Sequence, residues 1–147
     1  MTPITLVSLT RGTQATIAAV DRLTLVCHEA AKKSGWWTNL KTGEDTTPIA
    51  HDVPYKELQF SVPEKLMLIV TEVAEGMEGF RKNLQDDKLP QYKMLDVELA
   101  DALIRIHDLA GALKIPLGEI VAAKMAFNAE RADHKIENRL QENGKAC

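Results

Sequence analysis

Two acidic pairs, Glu72 with Glu75 and Glu98 with Asp101, are the residues of this chain best suited by type and spacing to do chemistry. Each pair is three positions apart within a run whose apolar residues recur at helical spacing, so both members share one helix face. Four carboxylates brought together by packing two such helices repel one another strongly unless a cation lies among them. Oxygen-only ligands suit a hard ion, Mg2+ ahead of any transition metal, with Mn2+ as the nearest substitute. Metal-assisted chemistry on phosphates is the expectation that follows.

A bland reading stands beside it, because acidic pairs are common on solvated helices. Asp101 with Arg105, and Glu78 with Lys82, have the i,i+4 spacing of surface ion pairs. Lys124, Asn128 and Arg131 line one face of a later helix, either as solvated polar groups or as two cations and an amide reaching phosphate oxygens. Trp36 and Trp37 follow Gly35 and serve either as a plug over a helix end or as a flat surface for a nucleobase. His28, about two turns earlier, has the chemistry to meet a base edge and equally that of an ordinary helix histidine. The sequence contains no Gly-rich phosphate loop, no G-x-S-x-G, no H-E-x-x-H and no E-x-x-H pair.

The elements that must position these groups read as helices. Ile17, Val20, Leu23, Val26, Cys27 and Ala30 set the first, from about Thr13 to Lys33, with Gly35 able to stop it. A second starts at Ser61-Val62-Pro63-Glu64, with Ser61 as cap and Glu64 completing a capping box. Its predicted core stripe is Leu66, Ile69, Val70, Val73, Met77, Phe80 and Leu84, and Glu72 and Glu75 lie off that stripe beside Gly76 and Gly79. Each of those glycines costs roughly 1 kcal/mol of helix propensity, which implies a backbone or a ligand in close approach. A third helix, about Lys93 to Leu113, is apolar on nearly every side, as suits the centre of a bundle or an oligomer. The fourth begins near Leu117 and runs into the 130s. Residues 1–12 read as a short arm or frayed helix, 36–60 as a long loop fit to cover a substrate, and 132–147 as a polar tail, mobile or ordered by substrate. The fold class expected is all-α, a four-to-five-helix bundle in one domain, 1–147, completed by oligomerisation.

Composition narrows the partners. The 147 residues are 45% hydrophobic and 27% charged, ordinary for a globular domain, with a formal net charge of -3 that disfavours nucleic acid as partner. Cys27 and Cys147 make no metal-ligand or disulfide spacing, which fits a reducing compartment. No secretory leader or bilayer-length apolar run is present, so the expected location is the cytoplasm, without a membrane partner.

Taken in order, these residues resemble the all-α nucleoside triphosphate pyrophosphohydrolases, the MazG-like group that includes dimeric dUTPases, dCTP pyrophosphatases and phosphoribosyl-ATP pyrophosphohydrolases. The group carries E-E-x-x-E on one helix and E-x-x-D on the next; here the segments read Thr71-Glu72-Val73-Ala74-Glu75 and Glu98-Leu99-Ala100-Asp101, with Thr71 in place of the first glutamate. His28 with Gly35-Trp36-Trp37, Pro63 to Leu66, Asp86 to Pro90, and Lys124 through Arg131 to Lys135 extend the likeness over most of the chain. The resemblance implies hydrolysis of a (deoxy)nucleoside triphosphate between the α- and β-phosphates. It implies Mg2+ held by Glu72, Glu75, Glu98 and Asp101, a water oriented by Glu72 or Glu75, pyrophosphate met by Lys124, Asn128 and Arg131, and base contacts from His28, Trp36 and Trp37. A homodimer or homotetramer is implied as well. dUTP and phosphoribosyl-ATP are the near alternatives, and a non-catalytic helical oligomer that binds nucleotide or a partner helix is the distant one.

Overall fold

The computed structural model describes residues 11–47 and 62–145. Among them are five α-helices: α1 (Arg11–Lys33), α2 (Val62–Lys82), α3 (Met94–Ala112), α4 (Leu117–Glu130) and the short α5 (Ile136–Arg139), with one 3-10 turn at Ala132–His134. The described residues contain no strand, only isolated bridges joining Thr38 to Asp45 and Gln85 to Lys93, so the all-α class holds. None of the described helices is long and apolar enough to cross a membrane. Most of the expected arm, the second half of the 36–60 loop with Pro48 and Pro54, the cap residue Ser61, and Cys147 lie outside the described residues.

By its contacts the chain divides into two compact units, one made of the chain up to Asp21 together with Pro116 onward, the other of Arg22–Ile115. In the first, the backbone N–H of Gly118 donates to Asp21 Oδ1 at 3.1 Å. A carboxylate from α1 thus meets the orphan donors at the start of α4, whose own N-cap residue Pro116 supplies no side-chain cap. After α4 the chain makes short helical turns: Asn138 Nδ2 donates to the Ala132 carbonyl at 2.7 Å, and Arg131 grips Asp133 through Nε and Nη2.

The second unit holds the acidic helices. At the end of α1, Gly35 takes φ of 79° and its N–H bonds the Lys32 carbonyl, as a helix stop requires. The chain then folds back in a closed turn rather than an open loop, because Thr46 donates both N–H and Oγ1 to the Trp37 carbonyl and Lys32 pairs with Asp45. Between α2 and α3 the turn is built on buried Asp86, which accepts the N–H groups of Lys88 and Leu89. The C-terminal half of α1 joins α3 through a buried 2.8 Å hydrogen bond between Thr24 Oγ1 and His107 Nδ1. Burial holds the His107 pKa below its usual value, which favours the neutral ring.

The face that α2 presents to α3 differs from the one the apolar stripe suggests. Leu66, Val70, Val73, Met77 and Phe80 are each half exposed or more, whereas Glu72, Gly76 and Gly79 are buried. Glycine decides it: a Cβ on Gly79 would fall 2.7 Å from Met94 Cβ and 2.8 Å from its Cγ, and one on Gly76 would fall 3.3 Å from Glu98 Cβ. The helices therefore approach along the one line of α2 without side-chain bulk, and the larger side chains stay outside. Gly79→Ala is expected to lower the urea midpoint, because overlap costing about 1–3 kcal/mol outweighs the roughly 1 kcal/mol gained in propensity. A midpoint equal to or above wild type would show that the close approach does not constrain the pair.

Candidate metal centre and adjoining cleft

Glu72 projects from the middle of α2 and Glu98 and Asp101 from the first half of α3. Glu72 and Glu98 are 6% and 7% exposed, while Asp101 opens to solvent. One oxygen from each of the three lies within 4.8 Å of the others. Glu75 is exposed and outside this set, though its negative charge still acts on Glu98. So the two helices bring together three of the four expected carboxylates, with the fourth at the margin.

The electrostatics are those of a crowded, partly desolvated acid cluster. Arg105 Nε donates to Glu72 Oε1 across the helix pair, and this is the pairing that Arg105 makes, rather than the i,i+4 partnership with Asp101 that its spacing allowed. Among the described residues Glu98 has no cation paired with it. Loss of water, a hydrogen bond shared with Glu72, and the negative charges of Glu75, Glu72 and Asp101 together push its pKa up to about 7. The donor set is wholly oxygen and wholly acidic, which fits a hard divalent cation. Oxygens bound to Mg2+ at about 2.1 Å stand no more than about 4.2 Å apart, so modest side-chain rotation would close this set on one ion.

A cleft of about 450 Å3 adjoins the cluster, with Asp101, Arg105 and Asp108 along its α3 wall, Lys65 and Leu68 from α2, and Trp36 at its rim. The two tryptophans, equivalent in sequence, are placed differently. Trp36 is 73% exposed and borders the cleft, whereas Trp37 is 1% exposed and donates from Nε1 to Asp108 Oδ1 at 2.8 Å. Lys65 Nζ sits 4.4 Å above the Trp37 ring. His28, expected at a base edge, gives its Nδ1 to the same Asp108 oxygen at 2.8 Å and stacks edge-on against Trp37. It does not line the cleft. Cys27 does, its thiol pKa raised by burial and by the Asp108 charge.

Lys124, Asn128 and Arg131 belong to the other unit. Lys124 Nζ lies 4.8 Å over the Phe127 ring, Arg131 is engaged by Asp133, and Asn128 Oδ1 is buried without a hydrogen-bond partner among the described residues. Asp108 was missed by sequence reasoning, and Arg105 was seen only as a helix-surface pair. A positional signal existed: Asp101, Arg105 and Asp108 follow one another at i, i+4 and i+7. No family model, curated protein or solved structure matches the chain, so the functional reading rests on residues and geometry.

The Glu98 carboxyl, ordinarily near 4.5, is raised to about 7 in the fold, so the folded chain holds a proton that the unfolded chain has released. Stability from this group is complete below pH 4.5 and is lost as pH rises through 7. Thermal melts from pH 5 to 8 without divalent ions should show a falling midpoint in wild type and a flatter profile in Glu98→Gln, with the variant the more stable at pH 8. Parallel profiles for the two proteins would remove Glu98 as the source.

Proposed function

We propose that this chain is an Mg2+-dependent nucleotide pyrophosphohydrolase that splits (deoxy)nucleoside triphosphates into monophosphate and pyrophosphate and works as a homo-oligomer. The observation that carries the reading is the convergence of Glu72, Glu98 and Asp101, the last of which also lines a nucleotide-sized cleft. The resemblance in residues points the same way.

In this reading Glu72, Glu98 and Asp101 would hold the ion, with Glu75 adding negative charge at the margin of the cluster. When bound, the ion would polarise phosphate oxygens and lower the pKa of a bound water. Arg105 fixes the Glu72 carboxylate, and Glu72 or Glu75 takes the proton as water adds to the α-phosphorus. The bond from the α-phosphorus to the bridging oxygen breaks, and pyrophosphate leaves with the bonding electrons. Trp36, exposed at the rim, gives the base a stacking face worth about 1–3 kcal/mol.

The α2 stripe supports self-association. Leu66, Val70, Val73, Met77 and Phe80 alternate at intervals of four and three, the spacing of a helix-packing seam, and Leu99, Leu103 and Ile106 on α3 are exposed as well. A second copy supplies a matching apolar seam without new chemistry. A second reading, a non-catalytic helical oligomer, draws on the Arg105–Glu72 pair, which balances one buried charge without any ion.

A panel of nucleotides with Mg2+ and product identification tests the reaction. Pyrophosphate and monophosphate are expected, with a loss of more than about 100-fold in Glu72→Gln/Asp101→Asn, beyond what outer-shell changes cost. Orthophosphate as product, or unchanged turnover in the double variant, would overturn it; absence of any Mg2+-dependent rise in melting temperature would favour the non-catalytic reading. Light scattering should show a dimer or larger species that Val73→Glu/Met77→Glu reduces to monomer. A monomeric wild type would refute the oligomer.

A further inference from the structure

Asp108 is a buried-side acid with an unusual division of labour between its oxygens. Its Oδ1 accepts two hydrogen bonds, from His28 Nδ1 and Trp37 Nε1, both at 2.8 Å. A carboxylate only accepts, so the imidazole donates from Nδ1, and the indole can only donate. Two donors converging on one oxygen fix the rotation of the carboxylate. His28 is itself held against α3 by the absence of a side chain at Gly111, where a Cβ would fall 2.6 Å from His28 Cβ. Asp108 Oδ2 takes no hydrogen bond from the described residues, and Asp108 lines the cleft with a side chain only 13% exposed. The group presented to the cleft is therefore a pre-oriented acceptor that cannot donate.

Its position suits the far end of a nucleotide. Asp101, at the acidic cluster, and Asp108 are seven residues apart on α3, about 10.5 Å along the helix axis. That is the order of the reach from a nucleotide's α-phosphate to the edge of its base. Beside Asp108, Trp36 offers an exposed ring at the cleft rim and Ala31, Leu68 and Ile104 supply apolar wall, with Ser34, Lys65 and Arg105 as the other polar side chains of the lining besides Asp101.

We propose that Asp108 Oδ2 reads the base, selecting a nucleobase with an exocyclic amino group over the analogue with oxygen at the same ring position; this rests on the reading of the cleft as a nucleotide site. An amino N–H meets the free oxygen directly. An exocyclic oxygen there would face a carboxylate oxygen, two acceptors with no proton between them. His28 and Trp37 are positioning residues: they set the carboxylate and do not touch the base.

Full-length protein with Mg2+ is titrated calorimetrically with monophosphates in matched pairs, cytidine against uridine and adenosine against inosine. In the pair whose ring size the cleft accepts, the amino member should bind tighter by about tenfold or more, as a charged hydrogen bond gained or lost requires. Asp108→Asn keeps an oxygen for His28 and Trp37 and turns an amide donor to the cleft, so the preference should vanish or reverse. Trp36→Ala should weaken both members alike and leave the ratio unchanged. Equal affinity within both pairs, binding of neither, or an unchanged ratio in Asp108→Asn overturns the proposal; if Asp108→Asn does not fold, the wild-type ratios decide. Pyrophosphate release is scored separately. Indiscriminate release sinks the base reading and leaves the hydrolase standing, whereas amino-selective binding without release does the reverse.

Discussion

The close approach of α2 and α3 at Gly76 and Gly79 is the constraint on which the rest of the site depends. With no Cβ on either glycine, Met94, Leu95 and Glu98 of α3 come against the α2 backbone. Glu72 stands one turn before Gly76 on the same line, so the contact that seats the helices also takes Glu72 and Glu98 out of water. Burying two carboxylates side by side is costly unless their charge is met. Arg105 meets one, and a proton held on Glu98 meets much of the other. A divalent cation could replace both arrangements at once, because one oxygen from each of Glu72, Glu98 and Asp101 lies within 4.8 Å of the others.

The same contact explains the surface. A helix turning its glycine and carboxylate line inward leaves the line about a third of a turn around it uncovered, and on α2 that line is Leu66, Val70, Val73, Met77 and Phe80. In one isolated chain this inverts the usual relation of apolar to polar faces.

Much of the fold was legible in the sequence, because the period of apolar residues, the Gly35 stop and the Asp86–Pro90 break are local signals. The pairing of acidic segments was legible too, since Gly76 and Gly79 beside Glu72 and Glu75 signalled a close neighbour. Which face of α2 is covered was not. Hydrophobic periodicity reports that a stripe will be buried somewhere, without saying whether by the same chain. The different fates of Trp36 and Trp37 were hidden for another reason: adjacent residues leaving a helix point in different directions, and residue type does not say which one turns inward. Asp108 was passed over because an aspartate on a helix is ordinarily solvated, and its two donors come from residues 71 and 80 positions away.

The three groups on α3 also have to be taken together. Asp101, Arg105 and Asp108 descend one face of a single rigid helix, so their mutual distances are set by helix geometry and do not depend on how any loop settles. Asp101 belongs to the cluster, Arg105 reaches back to fix Glu72, and Asp108 is aligned by two side chains from the α1 end. A ligand lying along this face would meet a site for a cation at one end and a pure acceptor at the other, with a guanidinium between them. Sites mounted on helices hold geometry better than sites mounted on loops. That rigidity matters here because discrimination between an amino group and an oxygen depends on an acceptor that cannot rotate away from the wrong partner.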